Sequence, residues 1–294
     1  DVDCQEHGDV LTEWKALSCD ENGTLTIDGA EWKLNKERYY LEAGNYYLAG
    51  DLNLNNRIVI SGEVNLCLNG FSITQTEEYS VISYQTDTTT FSLCDCKKNG
   101  VIRGNASRSV VYVYETFNMY GGTISGGAVG VEWCYDGCFN MYGGEISGNT
   151  TGASQATYSY DIGIFNMYGG EICNNKGSGV KMEHLAKFNM YGGEICNNEG
   201  SGVYITKGYI PVISGGPAAT GDIEFNMSGG KITGNNTATN GGGVYMKCSS
   251  NYTAKVNMSD GEITGNNADT GGGVYVGSHS TFTMSGGEIT GNNT

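Results

Sequence analysis

Phe165-Asn166-Met167-Tyr168-Gly169-Gly170-Glu171-Ile172-Cys173-Asn174-Asn175 decides the fold. Phe165 and Met167 are two residues apart, so an extended strand puts both on one face and leaves Asn166 and Tyr168 on the other. Gly169-Gly170 permits a sharp bend. Ile172 is then the next inward residue, Glu171 and Cys173 point outward, and Asn175 stands at the following corner. The same phrase starts at Phe117, Phe139, Phe188, Phe225, Val256 and Phe282, and the gaps between the seven copies are 22, 26, 23, 37, 31 and 26 residues. A third short strand closes the unit where the linker is clear, as in Gly179-Val180-Lys181-Met182, Gly202-Val203-Tyr204-Ile205, Gly243-Val244-Tyr245-Met246 and Gly273-Val274-Tyr275-Val276.

Three short strands per turn predict an all-β, right-handed parallel β-helix, a solenoid in which one coil cannot bury its apolar face and so stacks on the next. Like residues then fall above like. Phe117, Phe139, Phe165, Phe188, Phe225 and Phe282 form one column, with Val256 substituting once. Met119, Met141, Met167, Met190, Met227, Met258 and Met284 form a second, and Ile124, Ile146, Ile172, Ile195, Ile232, Ile263 and Ile289 a third. Seven of the nine Met lie in that column, so they read as core packing, where Met fills gaps beside stacked rings. Leucine-rich repeats need Leu, helical repeats need a 3.6-residue period, and hexapeptide helices need a six-residue phase; none is present. Val64-Asn65-Leu66 and Phe91-Ser92-Leu93 extend the register upstream, giving about nine recognisable coils and roughly 40 Å of axis. Residues 1–50 lie outside the repeat and read as an N-terminal cap protecting the open end of the helix of residues 51–294. The chain stops in mid-repeat, which leads us to expect further coils beyond residue 294.

The balance is acidic, with 16 Lys+Arg against 32 Asp+Glu and a net charge of −16. Such a surface repels phosphate backbones and anionic lipids, which argues against nucleic acid and membrane surfaces as partners. Only Arg38, Arg57, Arg103 and Arg108 offer a guanidinium. No stretch of 18 apolar residues exists, so this segment inserts in no membrane. Gly is 47 and Pro only 2, and the glycines recur at fixed phase, unlike those of a flexible linker.

Candidate functional residues face outward. Tyr120, Tyr142, Tyr168 and Tyr191 occupy one position on four successive coils, which becomes Ser228, Ser259 and Ser285 further on. The stripe reads either as an aromatic ladder that stiffens the wall or as a flat platform for sugar rings or a partner protein. Beside it run Glu145, Glu171, Glu194, Lys231, Glu262 and Glu288. No cofactor is expected; a calcium ion bridging neighbouring Glu is the one exception this row would allow. The corner Asn149, Asn175, Asn198, Asn235, Asn266 and Asn292 predict an amide ladder along the axis. Insertions gather on working faces, which adds Tyr158 and Tyr160 from one insertion and Tyr209 from the longest.

Ten Cys suggest an oxidising or anaerobic extracellular setting. Cys173 and Cys196 share one position on adjacent coils, which brings their Cα atoms to about 5 Å, within bonding range. Cys67 and Cys94 align the same way, with Cys96 competing for either. Cys134 and Cys138 flank a tight turn and Cys4 and Cys19 could staple the cap; spacing alone leaves the connectivity open. The three His (His7, His184, His279) are scattered and no paired C-x2-C exists, so no zinc site is expected.

The predicted fold resembles that of pectate lyases and polygalacturonases, but a fold is not a function. Those lyases need a carboxylate cluster for calcium with an Arg or Lys base, and those hydrolases a group of Asp with Gly-His-Gly and Arg-x-Lys; the sequence supplies neither. It is more similar to the repeat regions of large surface proteins of gut Firmicutes, through Phe-x-Met-x-Gly-Gly-x-Ile-x-Gly-Asn and Gly-Gly-Gly-Val-Tyr-Val over about residues 60–294. The clearest copies are Phe225–Tyr245 and Val256–Tyr275. It is more distantly similar to chlamydial polymorphic membrane proteins. The first resemblance implies a secreted or cell-surface bacterial protein, anchored through other parts, with an adhesive role and no catalytic residues. The expected partner is a host or mucosal glycan or protein of mucin or immunoglobulin type. A polysaccharide lyase or hydrolase, and a passive stalk, are the rival expectations.

Overall fold

The computed structural model describes residues 14–21, 23–84, 89–155, 162–183, 185–206, 221–249 and 252–294. Its described elements are strands, with no helix among them. The strands pair in parallel with the strand one turn earlier and one turn later, so the chain winds into a parallel β-solenoid with three walls. The first wall includes Thr116–Met119, Cys138–Met141, Gly163–Met167 and Ala186–Met190. The second includes Thr123–Ser125, Glu145–Ser147, Glu171–Cys173 and Glu194–Cys196. The third includes Ser109–Val113, Val129–Trp133, Thr151–Gln155, Val180–Met182, Val203–Thr206, Val244–Lys247 and Val274–Val276.

Register is set by identity. Phe117 pairs with Phe139, Phe139 with Phe165, Phe165 with Phe188, and Phe188 with Phe225. Their rings stack at 4.5–5.2 Å between centroids with interplanar angles of 8–10°. The Met and Ile columns follow in the same register, and the Phe, Met and Ile of these rungs are fully buried. A one-residue slip would turn every apolar side chain to solvent, which is why the repeat holds its phase. Parallel pairing also reaches further toward the N-terminus than the repeat phrase marks. Arg38–Leu48 pairs in parallel with Arg57–Cys67, placing Asn45 on Asn65, and Trp14–Leu17 pairs with Asn45–Leu48. Leu25–Ile27 and Ala30–Glu31 add antiparallel pairs at that end.

Two positions show how the corners are made. Gly170 sits at φ +82°, and a Cβ there would stand 2.7 Å from Met141 Cε and 2.8 Å from Gly144 O, so only glycine fits. The corner after the Ile strand also needs a left-handed residue. It is Gly148 or Gly234 on some coils (φ 67° and 66°) and Asn174 or Asn197 on others (φ 58° and 51°), the two residue types that tolerate this conformation best.

Two amide ladders run along the axis. The expected one is inside: Asn149, Asn175, Asn198, Asn235 and Asn266 are almost fully buried. Each donates from Nδ2 to Oδ1 of the Asn on the following coil at 2.8–3.1 Å, ending on Asn292. Each also satisfies backbone groups: Asn198 donates to Ile172 O, and its Oδ1 accepts from Asn175 N. The second ladder lies on the outer face of the first wall through Asn118, Asn140, Asn166, Asn189, Asn226 and Asn257. Here each Nδ2 donates to the Asn on the preceding coil at 2.9–3.0 Å. The sequence placed these residues outward without revealing that they bond to one another.

Candidate functional site

The first candidate is the tyrosine column. Tyr120, Tyr142, Tyr168 and Tyr191 directly follow successive first-wall strands, and their rings stack at 4.8, 4.9 and 4.9 Å with interplanar angles of 6–10°. Tyr142, Tyr168 and Tyr191 are exposed. The stacking changes what the column can offer. Ring faces inside the ladder are covered by neighbouring rings, so the surface is a comb of ring edges and phenol oxygens rather than a flat platform. Burial and the neighbouring phenols raise the hydroxyl pKa of Tyr142 and Tyr168 above 10.0, which keeps them neutral hydrogen-bonding groups. The acidic row stands in register beside it: Glu145 on Glu171, Glu171 on Glu194, and Glu194 on Lys231. Lys231 lies 3.4 Å from Glu262, a solvated pair that relieves like-charge repulsion at one rung.

The cysteines sort themselves by wall. Cys173 and Cys196 are register partners 4.5 Å apart at Cα and form the expected disulfide. In this column their neighbours are Ser147 and Thr233, so the bridge replaces two hydroxyls. Glu171 lies beside the bridge, with its carboxylate and both sulfurs within 4.8 Å of one another; the bonded sulfurs offer no thiolate to a metal. Cys67 and Cys94 are register partners as expected, but they are not bonded to each other. Cys94 is disulfide-bonded elsewhere, while Cys67 keeps a thiol that contacts Cys96 Sγ at 3.5 Å and that burial pushes up to about 11. Cys134 and Cys138 are not bridged either. The turn between them carries the chain from the third wall to the first, so Cys134 turns back to Val113 O (3.3 Å) while Cys138 meets Asn140 Oδ1 (3.5 Å). Cys19 is exposed. Cys4, Tyr158, Tyr160 and Tyr209, together with His7 and His184, lie outside the described residues.

A second candidate lies on the outer face of the third wall. Successive register pairs place Tyr112, Glu132, Ser154, Lys181, Tyr204, Tyr245 and Tyr275 in one column. Tyr204, Tyr245 and Tyr275 stack at 4.7 and 5.3 Å. At the lower end Tyr112 meets Tyr114 edge-on at 5.0 Å, and Tyr114 stacks on Tyr135 at 5.5 Å. Glu132 accepts a hydrogen bond from Ser109 Oγ. Burial raises its pKa, opposed by that hydrogen bond and by Arg108. Burial likewise pushes the Cys134 thiol up to about 12. The signal was present in the alternation Val131-Glu132-Trp133, which points Glu132 outward. It stayed hidden because Val110-Val111-Tyr112-Val113 and Gly152-Ala153-Ser154-Gln155 depart from the Gly-Val strands that follow.

An open groove at the N-terminal end is lined by Trp32, Lys33, Asn35, Lys36, Tyr40, Glu42 and Ser61, and among the described residues no helix is long and apolar enough to cross a membrane. No family model, curated protein or solved structure matches the chain.

Proposed function

We propose that this chain is a non-catalytic, secreted or cell-surface bacterial β-helix of adhesin type that binds a host or mucosal glycan or protein through its outer wall. In finer detail we take the solenoid to be right-handed, as parallel crossovers are, with about nine repeat coils and an N-terminal cap. The observation that supports the reading best is the exposed Tyr142–Tyr168–Tyr191 stack in register with a row of Glu. Tyrosine supplies contact area and a hydroxyl at low entropic cost. The wall beneath is held by the amide ladders and the Cys173–Cys196 bridge, so little ordering remains to be done on binding. The chain's resemblance to surface repeat proteins agrees with this role.

The test is binding of the whole chain to a glycan array, to mucin and to immunoglobulin, repeated with Tyr142→Ala/Tyr168→Ala/Tyr191→Ala. Binding by the parent and its loss in the triple variant is the expected result. Parent binding that survives the triple change removes the comb from the reading, and no binding to any of the three leaves a stalk. Release of oligosaccharides from an acidic polysaccharide with calcium would restore the lyase.

A further inference from the structure

The regular columns of this molecule repeat one residue type for several coils, and such repetition serves packing. The third-wall column is different: between the rings of Tyr112 and Tyr204 it carries Glu132, Ser154 and Lys181 on three successive rungs. With about 4.8 Å per rung, the Glu132 and Lys181 backbones stand roughly 10 Å apart. Ser154, the short residue between them, is 6 % exposed. Lys181 Nζ is held by Glu183 at 3.0 Å, and Glu132 is held by Ser109. A carboxyl group and an ammonium group are thus fixed on either side of a low rung, with aromatic rings beyond both.

A further observation points to use of this place. Tyr135 has φ 53°, where a bulky side chain is an outlier that costs energy. In this turn from the third wall to the first the chain keeps an aromatic ring in that conformation, 41 % exposed and stacked on Tyr114.

We propose that Tyr112, Glu132, Tyr135, Ser154, Lys181 and Tyr204 form a binding site for a neutral oligosaccharide lying along the solenoid axis. Aromatic rings take the C–H faces of pyranoses, while Glu132 and Lys181 supply an acceptor and a donor for hydroxyls. Charge selects a neutral sugar: the chain carries −16, and Glu132 and Glu183 both border the site, so uronates and sialylated glycans are repelled. A peptide adding as a strand fits poorly, because these strands already pair with the coils on both sides.

This site rests on the reading of the wall as a binding surface, and one experiment separates the two. The whole chain is applied to an array of neutral and acidic glycans beside immobilised mucin and immunoglobulin. Variants Tyr135→Asn, Glu132→Gln and Lys181→Ala are compared with the Tyr142/Tyr168/Tyr191 triple alanine variant, each checked for a cooperative unfolding transition no less stable than the parent's by more than about 1 kcal/mol. Binding of neutral glycans that falls tenfold or more in the third-wall variants is the expected outcome, whether or not the first-wall triple lowers it too. Neutral-glycan binding that only the first-wall triple abolishes overturns this site but keeps the adhesive reading. Acidic glycans or immunoglobulin as the sole ligands overturn the assigned sugar class. No binding to anything on the surface removes both.

Discussion

The first and third walls are built from the same chain on the same spacing, yet they carry different information. On the first wall the inward rungs from Phe117 to Met190 repeat Phe and Met, and the outward positions repeat Asn and Tyr. On the third wall the inward rungs run Val113, Trp133 and Gln155, and the outward rungs run Tyr112, Glu132 and Ser154. The third wall tolerates this because its sizes compensate across the core. The Trp133 indole reaches the Phe165 ring at 5.6 Å, and Gly163 leaves it room, since a Cβ there would lie 2.6 Å from Trp133 Cδ1. Regular columns therefore report how the solenoid stands up, and irregular ones report what has been added to it.

The largest effect that would sharpen this contrast lies in the regular core. Phe165→Ala should cost about 4 kcal/mol, because the stacked rings above and below cannot collapse into the hole; a urea midpoint unchanged by the substitution would show that the column is not rigid. Next come the two amide ladders. Asn198→Ala leaves Asn175 N and Ile172 O without their partner, and should cost about 3 kcal/mol. The outer Asn166→Ala, whose neighbours can turn to water, should cost about 1 kcal/mol. Equal losses would mean that burial does not separate the ladders. Cys173→Ser restores the hydroxyl that adjoining rungs carry, and should lower stability by about 2 to 3 kcal/mol through loss of a bridge of separation 23. Adding reductant to the parent should lower stability by at least that much, since the Cys94 bridge is reduced with it.

The smallest effect belongs to the third wall. The pKa of Glu132 is raised above 4.5 by burial, so the folded chain holds a proton there that the unfolded chain releases. The associated stability is fully present below the unfolded value and is lost as pH rises through the folded one. Glu132→Gln should therefore flatten the decline in unfolding free energy between pH 4.5 and 7 and raise stability at pH 7. Parallel pH curves for parent and variant would show that Glu132 is not buried as described.

The regular part of the molecule was legible in the sequence because stacking makes the code redundant. Phe, Met, Ile and the corner Asn appear at fixed phase, and Cys173 and Cys196 could be paired by that phase alone. Where the phase was real but the bond depended on side-chain direction, the sequence was insufficient. Cys67 shares a register with Cys94 but turns to Cys96, and Cys134 and Cys138 are separated by a change of wall. The tyrosines stack as their spacing requires, yet the tilt of the rings decides that edges, not faces, meet solvent. The Glu132 column was missed for the reason that makes it informative: a column whose chemistry changes at every rung leaves no repeat to recognise.

The two amide ladders have one more consequence. Inside, each Nδ2 donates to the Asn of the next coil and also to an Ile carbonyl of the previous one; outside, each donates to the Asn of the previous coil, and both Asn-to-Asn ladders run through five links. Each amide carries a dipole of about 3.5 D. A single file of them would build up a voltage along the axis, as an α-helix does, and every added coil would feel all those before it. Two opposed files cancel at long range. The two files therefore add little to the field along the axis beyond that of the charged side chains, whose sum is −16.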